Sequence, residues 1–96
     1  MKNYEIMYIV RPTLGEDEIK KVNENFAKVL TSNGATINET VEMGQRELAY
    51  EIKDFKTGYY YVYNIEAKDD KAIREFDRLG LISKDVIRHL ITKEED

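Results

Sequence analysis

Along this chain the apolar residues alternate with period two, switch to a period of about 3.6, and return to alternation, and the cycle then repeats. A chain of 96 residues that does this twice has few ways to bury every apolar face. Tyr4, Ile6, Tyr8 and Val10 alternate with Asn3, Glu5, Met7 and Ile9, and both sets are largely apolar after Glu5. That predicts a strand covered on both faces, hence central in its sheet. Pro12 ends it. Thr13-Leu14-Gly15-Glu16 has capping-box spacing, and Glu16, Asp17 and Glu18 suit a helix N-terminus. Ile19, Val22, Phe26, Val29 and Leu30 follow at helical spacing up to a stop at Asn33-Gly34. Residues 35–43 alternate again, with Thr36, Asn38, Thr40 and Glu42 forming a wholly polar side, as an edge strand should. Gly44 is expected to be a bulge, beyond which Leu48, Tyr50 and Ile52 resume the strand. Residues 54–58 read as a hairpin loop, and Tyr59 to Ala67, rich in Tyr and β-branched residues, as the next strand. Asp69 or Asp70 starts a second helix carrying Ala72, Ile73, Phe76 and Leu79, with Gly80 as its expected stop. Val86, Arg88 and Leu90 alternate with Ile87, His89 and Ile91 in a last strand.

The resulting order is β-α-β-β-α-β. Right-handed crossovers place both helices on one face of a four-stranded antiparallel sheet, an α+β sandwich of ferredoxin-like type. One such domain is expected over residues 1–92, with residues 93–96 (Lys93-Glu94-Glu95-Asp96) as a short, frayed acidic tail. The sheet face away from the helices is expected to be uncovered, and that face and the edges are where a partner would dock.

Composition narrows the chemistry. The chain has no Cys and one His, which removes disulfides, thiolate metal sites and cysteine nucleophiles together. The opening MKNYEIMYIV is interrupted by Glu5 and has no small-residue cleavage site after it, so it does not read as a signal peptide. Apolar runs fall well short of the roughly 18 residues of a membrane helix. A soluble, cytoplasmic domain is expected. Net charge is −4, which argues against non-specific nucleic-acid binding.

Local motifs say less. Four of the seven tyrosines stand at positions 59, 60, 61 and 63, with Tyr59, Tyr61 and Tyr63 on one face. Lys56-Thr57-Gly58-Tyr59-Tyr60-Tyr61-Val62-Tyr63 is loosely similar to the stacking strand of an RNA recognition motif, which would make Tyr59 and Tyr61 base platforms if they face solvent. A Tyr-rich core strand explains the same residues. His89 has no partner at metal-ligand spacing and no nucleophile to serve, so neither a metal nor a catalytic role is read for it. Glu16-Asp17-Glu18 lacks the alternating ligands of a calcium loop. No phosphate-binding glycine loop or other cofactor motif is present. A hydrolase cradling an anion beside Arg11 is disfavoured because Pro12 removes a backbone donor there. A ligand-sensing domain that pairs through its sheets is a further reading this architecture permits. The cations are scattered: Lys2, Arg46, Lys53, Lys56, Lys84 and Arg88, offset by Glu47, Glu51 and Asp54.

Three segments carry a family resemblance. Tyr4-Glu5 leads through the first strand to Arg11-Pro12. Met43-Gly44-Gln45-Arg46-Glu47-Leu48-Ala49-Tyr50-Glu51-Ile52 is followed by Lys53 and, after the loop, Gly58-Tyr59. Val86-Ile87-Arg88-His89-Leu90 lies in the last strand. Over residues 2–92 the chain resembles the bacterial small-subunit ribosomal protein six family. The resemblance implies a structural, non-enzymatic RNA-binding protein of the small ribosomal subunit, without cofactor or small-molecule substrate. It implies binding to the central domain of small-subunit ribosomal RNA together with small-subunit ribosomal protein eighteen, whose basic charge would offset the acidity of this chain. Carried over by position, Lys2, Arg46 and Arg88 match basic family positions expected to face RNA, with Lys53 and Lys56 as further candidates. Two departures stand out: Met43 precedes the bend glycine where Trp or Leu is common, and Gln45-Arg46-Glu47 replaces a basic pair with one cation and an acid.

Overall fold

The computed structural model describes residues 2–94. Its elements are β1 (Lys2–Val10), α1 (Glu16–Ser32), β2 (Thr36–Ile52), β3 (Phe55–Ala67), α2 (Lys71–Ile82) and β4 (Val86–Glu94). The strands form one antiparallel sheet in the order β2-β3-β1-β4. This is the ferredoxin-like sandwich. β1 is central, as its two apolar faces require.

Tyr4, Ile6, Tyr8 and Val10 of β1 pack with Tyr61, Tyr63 and Ile65 of β3 against Ile19, Phe26 and Leu30 of α1 and Ala72 and Phe76 of α2. Tyr8 lies at the centre, with ring centroids 5.0 Å from Phe26 and 5.9 Å from Phe76. Its hydroxyl would be costly to bury alone. It donates to Asn23 Oδ1 of α1, and the Tyr63 hydroxyl donates to the Asn23 carbonyl oxygen at 3.1 Å. One helix residue thus satisfies two core hydroxyls.

Four boundaries differ from expectation, each for a visible reason. Gly15, not Thr13, is the N-cap of α1, and no side chain caps it. The Thr13 hydroxyl instead accepts from Arg11 Nη1 at 2.6 Å. The β2–β3 turn is Lys53-Asp54, closed by the pair Ile52 and Phe55, so residues 55–58 belong to β3. Both turn residues hold positive φ (49° and 69°), the pattern of a two-residue hairpin of mirror-image type. Gly80 does not stop α2 but lies buried inside it. A Cβ there would stand 2.9 Å from the ring of His89, so the glycine admits the imidazole against the helix backbone. Finally, β4 runs through Lys93 and Glu94, which pair with Tyr4 and Asn3, so no tail begins at Lys93. Glu95 and Asp96 lie outside the described residues. The bulge expected at Gly44 is present: the β2 register shifts between Glu42 and Gly44, and Gly44 takes φ 79°.

The strained turn gives a first prediction. Replacing Lys53-Asp54 by Asn-Gly, which adopt positive φ readily, is expected to raise stability by about 1 kcal/mol. Urea denaturation checks it: the midpoint should rise with an unchanged slope.

Candidate nucleic-acid interface

The sheet register decides which cations meet. Arg88 of β4 faces Ile9, Ile9 faces Tyr60, and Tyr60 faces Gly44, forming one row across all four strands. Arg46 pairs with Gly58 one pleat further along β2, so it shares with Arg88 both the face away from the helices and the end of the sheet. Lys53 sits in the hairpin turn and Lys56 at the start of β3, beyond Arg46 at the same end. Lys2 does not join them. It pairs with Ala67 at the opposite end of the sheet and faces the helix side, where its charge is felt by Asp70.

The arginines divide by partner. Arg11 Nε donates to Asp85 Oδ1 at 3.0 Å, Arg74 Nε to Asp70 Oδ2 at 2.9 Å and Arg78 Nη2 to Glu75 Oε2 at 2.8 Å. Hydrogen bonds from Arg74 and Arg78 hold the carboxyls of Asp70 and Glu75 below their ordinary range. The remaining two have neutral partners. Arg46 Nε donates to the Met43 carbonyl oxygen at 3.1 Å, and Arg88 Nη1 to the Tyr50 hydroxyl at 2.7 Å. Among the described residues neither meets a carboxylate, so both keep N–H donors for an outside anion. Glu47, Glu51 and Asp54 interleave with these cations along the hairpin, which keeps this end of the molecule only mildly positive.

The face away from the helices is not bare. Between the pairs Glu47–Thr57 and Ile52–Phe55 the β2 register shifts, leaving residues 48–51 outside the ladder. This stretch arches over the sheet. It forms a groove of about 260 Å³ with Met7, Ile9, Tyr60 and Arg88 beneath Leu48 and Tyr50. Ile9 points to this face yet is only 3% exposed. The expectation of an uncovered face is therefore corrected for this end of the sheet. Val41, Met43 and Leu90 remain exposed beside the arch. Tyr50 is 62% exposed and is the contributor that sequence reading missed; its place in a Leu-Ala-Tyr run after a bulge was the available signal.

The stacking-platform reading of Tyr59 and Tyr61 does not hold. Tyr61 and Tyr63 are buried beneath the helices, and Tyr59 packs half-buried against the same core. Burial pushes the hydroxyl pKa values of Tyr61 and Tyr63 up. A larger groove, about 660 Å³, separates α1 from the β2 edge, but Glu16, Glu24 and Glu42 line it and would repel phosphates. His89 packs edge-on against Phe76 and bonds Asp77 Oδ1 at 2.8 Å, a structural placement.

An acidic ferredoxin-like domain that offers two arginines with no carboxylate partner among the described residues, and exposed apolar residues on the sheet face opposite its helices, has the makings of a binding module. A model described as Ribosomal protein S6 matches residues 3–93, and the chain belongs to that family. The crystal structure of 30S ribosomal protein S6 from Thermotoga maritima is similar at 26% identity, covering 97% of this chain and 87% of that one, with a TM-score of 0.92. A protein structure from Arabidopsis thaliana, at 8% identity and a TM-score of 0.56 over 100% of this chain and 95% of that one, shares the fold alone. The chain is thus an RNA-binding structural protein of the small ribosomal subunit, serving translation, and not an enzyme.

Proposed function

We propose that this protein binds the central domain of small-subunit ribosomal RNA in the cytoplasm, together with small-subunit ribosomal protein eighteen, and aids assembly there. The observation that carries this reading is the partnering of the arginines. The two without a carboxylate partner among the described residues, Arg46 and Arg88, share one face and one end of the sheet. Lys53 and Lys56 extend this set toward the hairpin tip. Lys2, at the opposite end, would touch a different stretch of RNA or none.

The interleaved acids support the need for a companion. Each phosphate contact contributes by releasing counterions, and a mildly positive patch on a chain of net charge −4 releases few. A basic companion seated on the exposed Val41, Met43 and Leu90 would bury apolar surface and add the missing positive charge.

The test is a titration against a central-domain ribosomal RNA fragment, with and without the companion, at two salt concentrations. Binding should be weak alone and tight and salt-sensitive with the companion. Arg46→Ala and Arg88→Ala should each lower the affinity of the complex about tenfold and reduce the salt slope by about one. Lys2→Ala separates the two ends: an unchanged affinity leaves the contact to the Arg46–Arg88 end. Tight binding of the lone protein to unstructured RNA, or no binding in any arm, would overturn the reading.

A further inference from the structure

The arch of β2 brings the Tyr50 hydroxyl to Arg88, a residue on the far edge of the sheet. A guanidinium carries five N–H donors and no acceptor, so this bond uses one donor and leaves four. A long side chain on an exposed strand otherwise samples many rotamers, and holding it for a phosphate costs conformational entropy at the moment of binding. A hydroxyl partner removes part of that cost beforehand. A carboxylate in the same place would neutralise the charge as well, and Arg11, Arg74 and Arg78 are held in that manner. Arg88 is fixed without being neutralised.

We propose that Tyr50 is a positioning residue for anion recognition, its hydroxyl presenting the Arg88 guanidinium to an RNA phosphate. The inference rests on the RNA-binding reading above and deepens it. It makes the register shift of β2 part of the binding surface, since a regular ladder through residues 48–51 would leave Tyr50 on the opposite edge of the sheet from Arg88. The ring, 62% exposed, does not itself need to touch RNA.

The experiment uses the complex with the companion and the same RNA fragment, comparing Tyr50→Phe, Tyr50→Ala, Arg88→Ala and the double variant Tyr50→Phe/Arg88→Ala across a salt series. Thermal melts first establish that each variant is folded. Tyr50→Phe is expected to weaken binding three- to tenfold at every salt concentration while leaving the salt slope unchanged, because the charge of Arg88 remains. Arg88→Ala should lower both affinity and slope, and Tyr50→Phe should cost nothing further on that background. Tyr50→Ala should match Tyr50→Phe. Wild-type affinity in Tyr50→Phe with a loss only in Tyr50→Ala would overturn the proposal in favour of ring stacking. Tighter binding by Tyr50→Phe would also overturn it, since the hydroxyl would then be a competitor of the phosphate. A loss in Tyr50→Phe that persists in full without Arg88 would mean the hydroxyl acts elsewhere. Failure of the wild-type complex to bind at all is distinguishable from these and removes the RNA reading along with the proposal.

Discussion

Gly58→Ala is expected to lower stability by about 3 kcal/mol, near the upper end of what overpacking a core costs. In a domain of this size that is a fall in melting temperature of roughly 15 °C. Nothing about the backbone of Gly58 demands glycine; the demand comes from above the sheet. A Cβ at this position would collide with Ile9 Cγ2, lie 3.2 Å from the Val10 carbonyl oxygen and meet Ile87 Cδ1 at 3.5 Å. Ile9 yields only by leaving its rotamer, because Cγ2 is a branch methyl fixed on Cβ and the side chain is packed at 3% exposure. Two comparisons sharpen the result. Gly15→Ser at the N-cap of α1 enters open space, so it should stabilise by a few tenths of a kcal/mol through a new capping hydroxyl. Ile9→Leu, which lacks the Cγ2 branch, should recover part of the loss when combined with Gly58→Ala. Thermal melts of the four variants check both statements. A Gly58→Ala protein as stable as wild type would show that Ile9 shifts freely into the groove beside it.

The second large effect is alkaline collapse. Burial raises the hydroxyl pKa of Tyr8 far above its usual 10.0, and those of Tyr61 and Tyr63 are raised by the same cause. Nearby hydroxyls and the Glu42 carboxylate add to the shift of Tyr8. A group that holds its proton more tightly when folded contributes stability that is complete below its unfolded pKa and is lost as pH rises above it. The tyrosine contribution should therefore be flat up to about pH 10. Beyond it the unfolded chain releases the Tyr8 proton that the native state retains, a slope of about 1.4 kcal/mol per pH unit, and the raised hydroxyls of Tyr61 and Tyr63 steepen it. For a domain of ordinary stability this brings unfolding in strong alkali. Tyrosinate absorbance and far-ultraviolet circular dichroism, followed together, should change in one step. Tyr63→Phe should flatten the slope by up to about 1.4 kcal/mol per pH unit. A gradual rise in tyrosinate with intact circular dichroism would mean these hydroxyls reach solvent in the native state.

Both effects depend on side chains whose faces could be read beforehand. The alternation from Tyr4 to Val10 and from Tyr59 to Ala67 assigns Tyr8, Tyr61 and Tyr63 to a common face once the helices are placed. The assignment of Arg46 and Arg88 to RNA came from resemblance, and the structure adds that these two have no carboxylate partner among the described residues. Lys2 shows the limit of position alone. It stands in the same list of basic residues, yet the register of β1 with β3 carries it to the other end of the sheet.

What the sequence determined by itself is the element order, the faces of each element and the composition of the core. Those properties are local: a strand repeats every two residues and a helix about every 3.6, so the apolar pattern reports them directly. Bends set by backbone chemistry, such as the bulge at Gly44, were legible for the same reason. The tertiary structure alone decided that Gly80 continues a helix, that residues 48–51 leave the ladder, and that Tyr50 reaches Arg88. Each of these joins residues distant in sequence. His89 packs on Gly80 from another element, and the Tyr50 side chain, carried on the β2 arch, reaches Arg88 of the opposite edge strand. Neither a glycine's local propensity nor an alternating pattern encodes what will pack above it; that follows from how far a long hairpin coils over its own sheet.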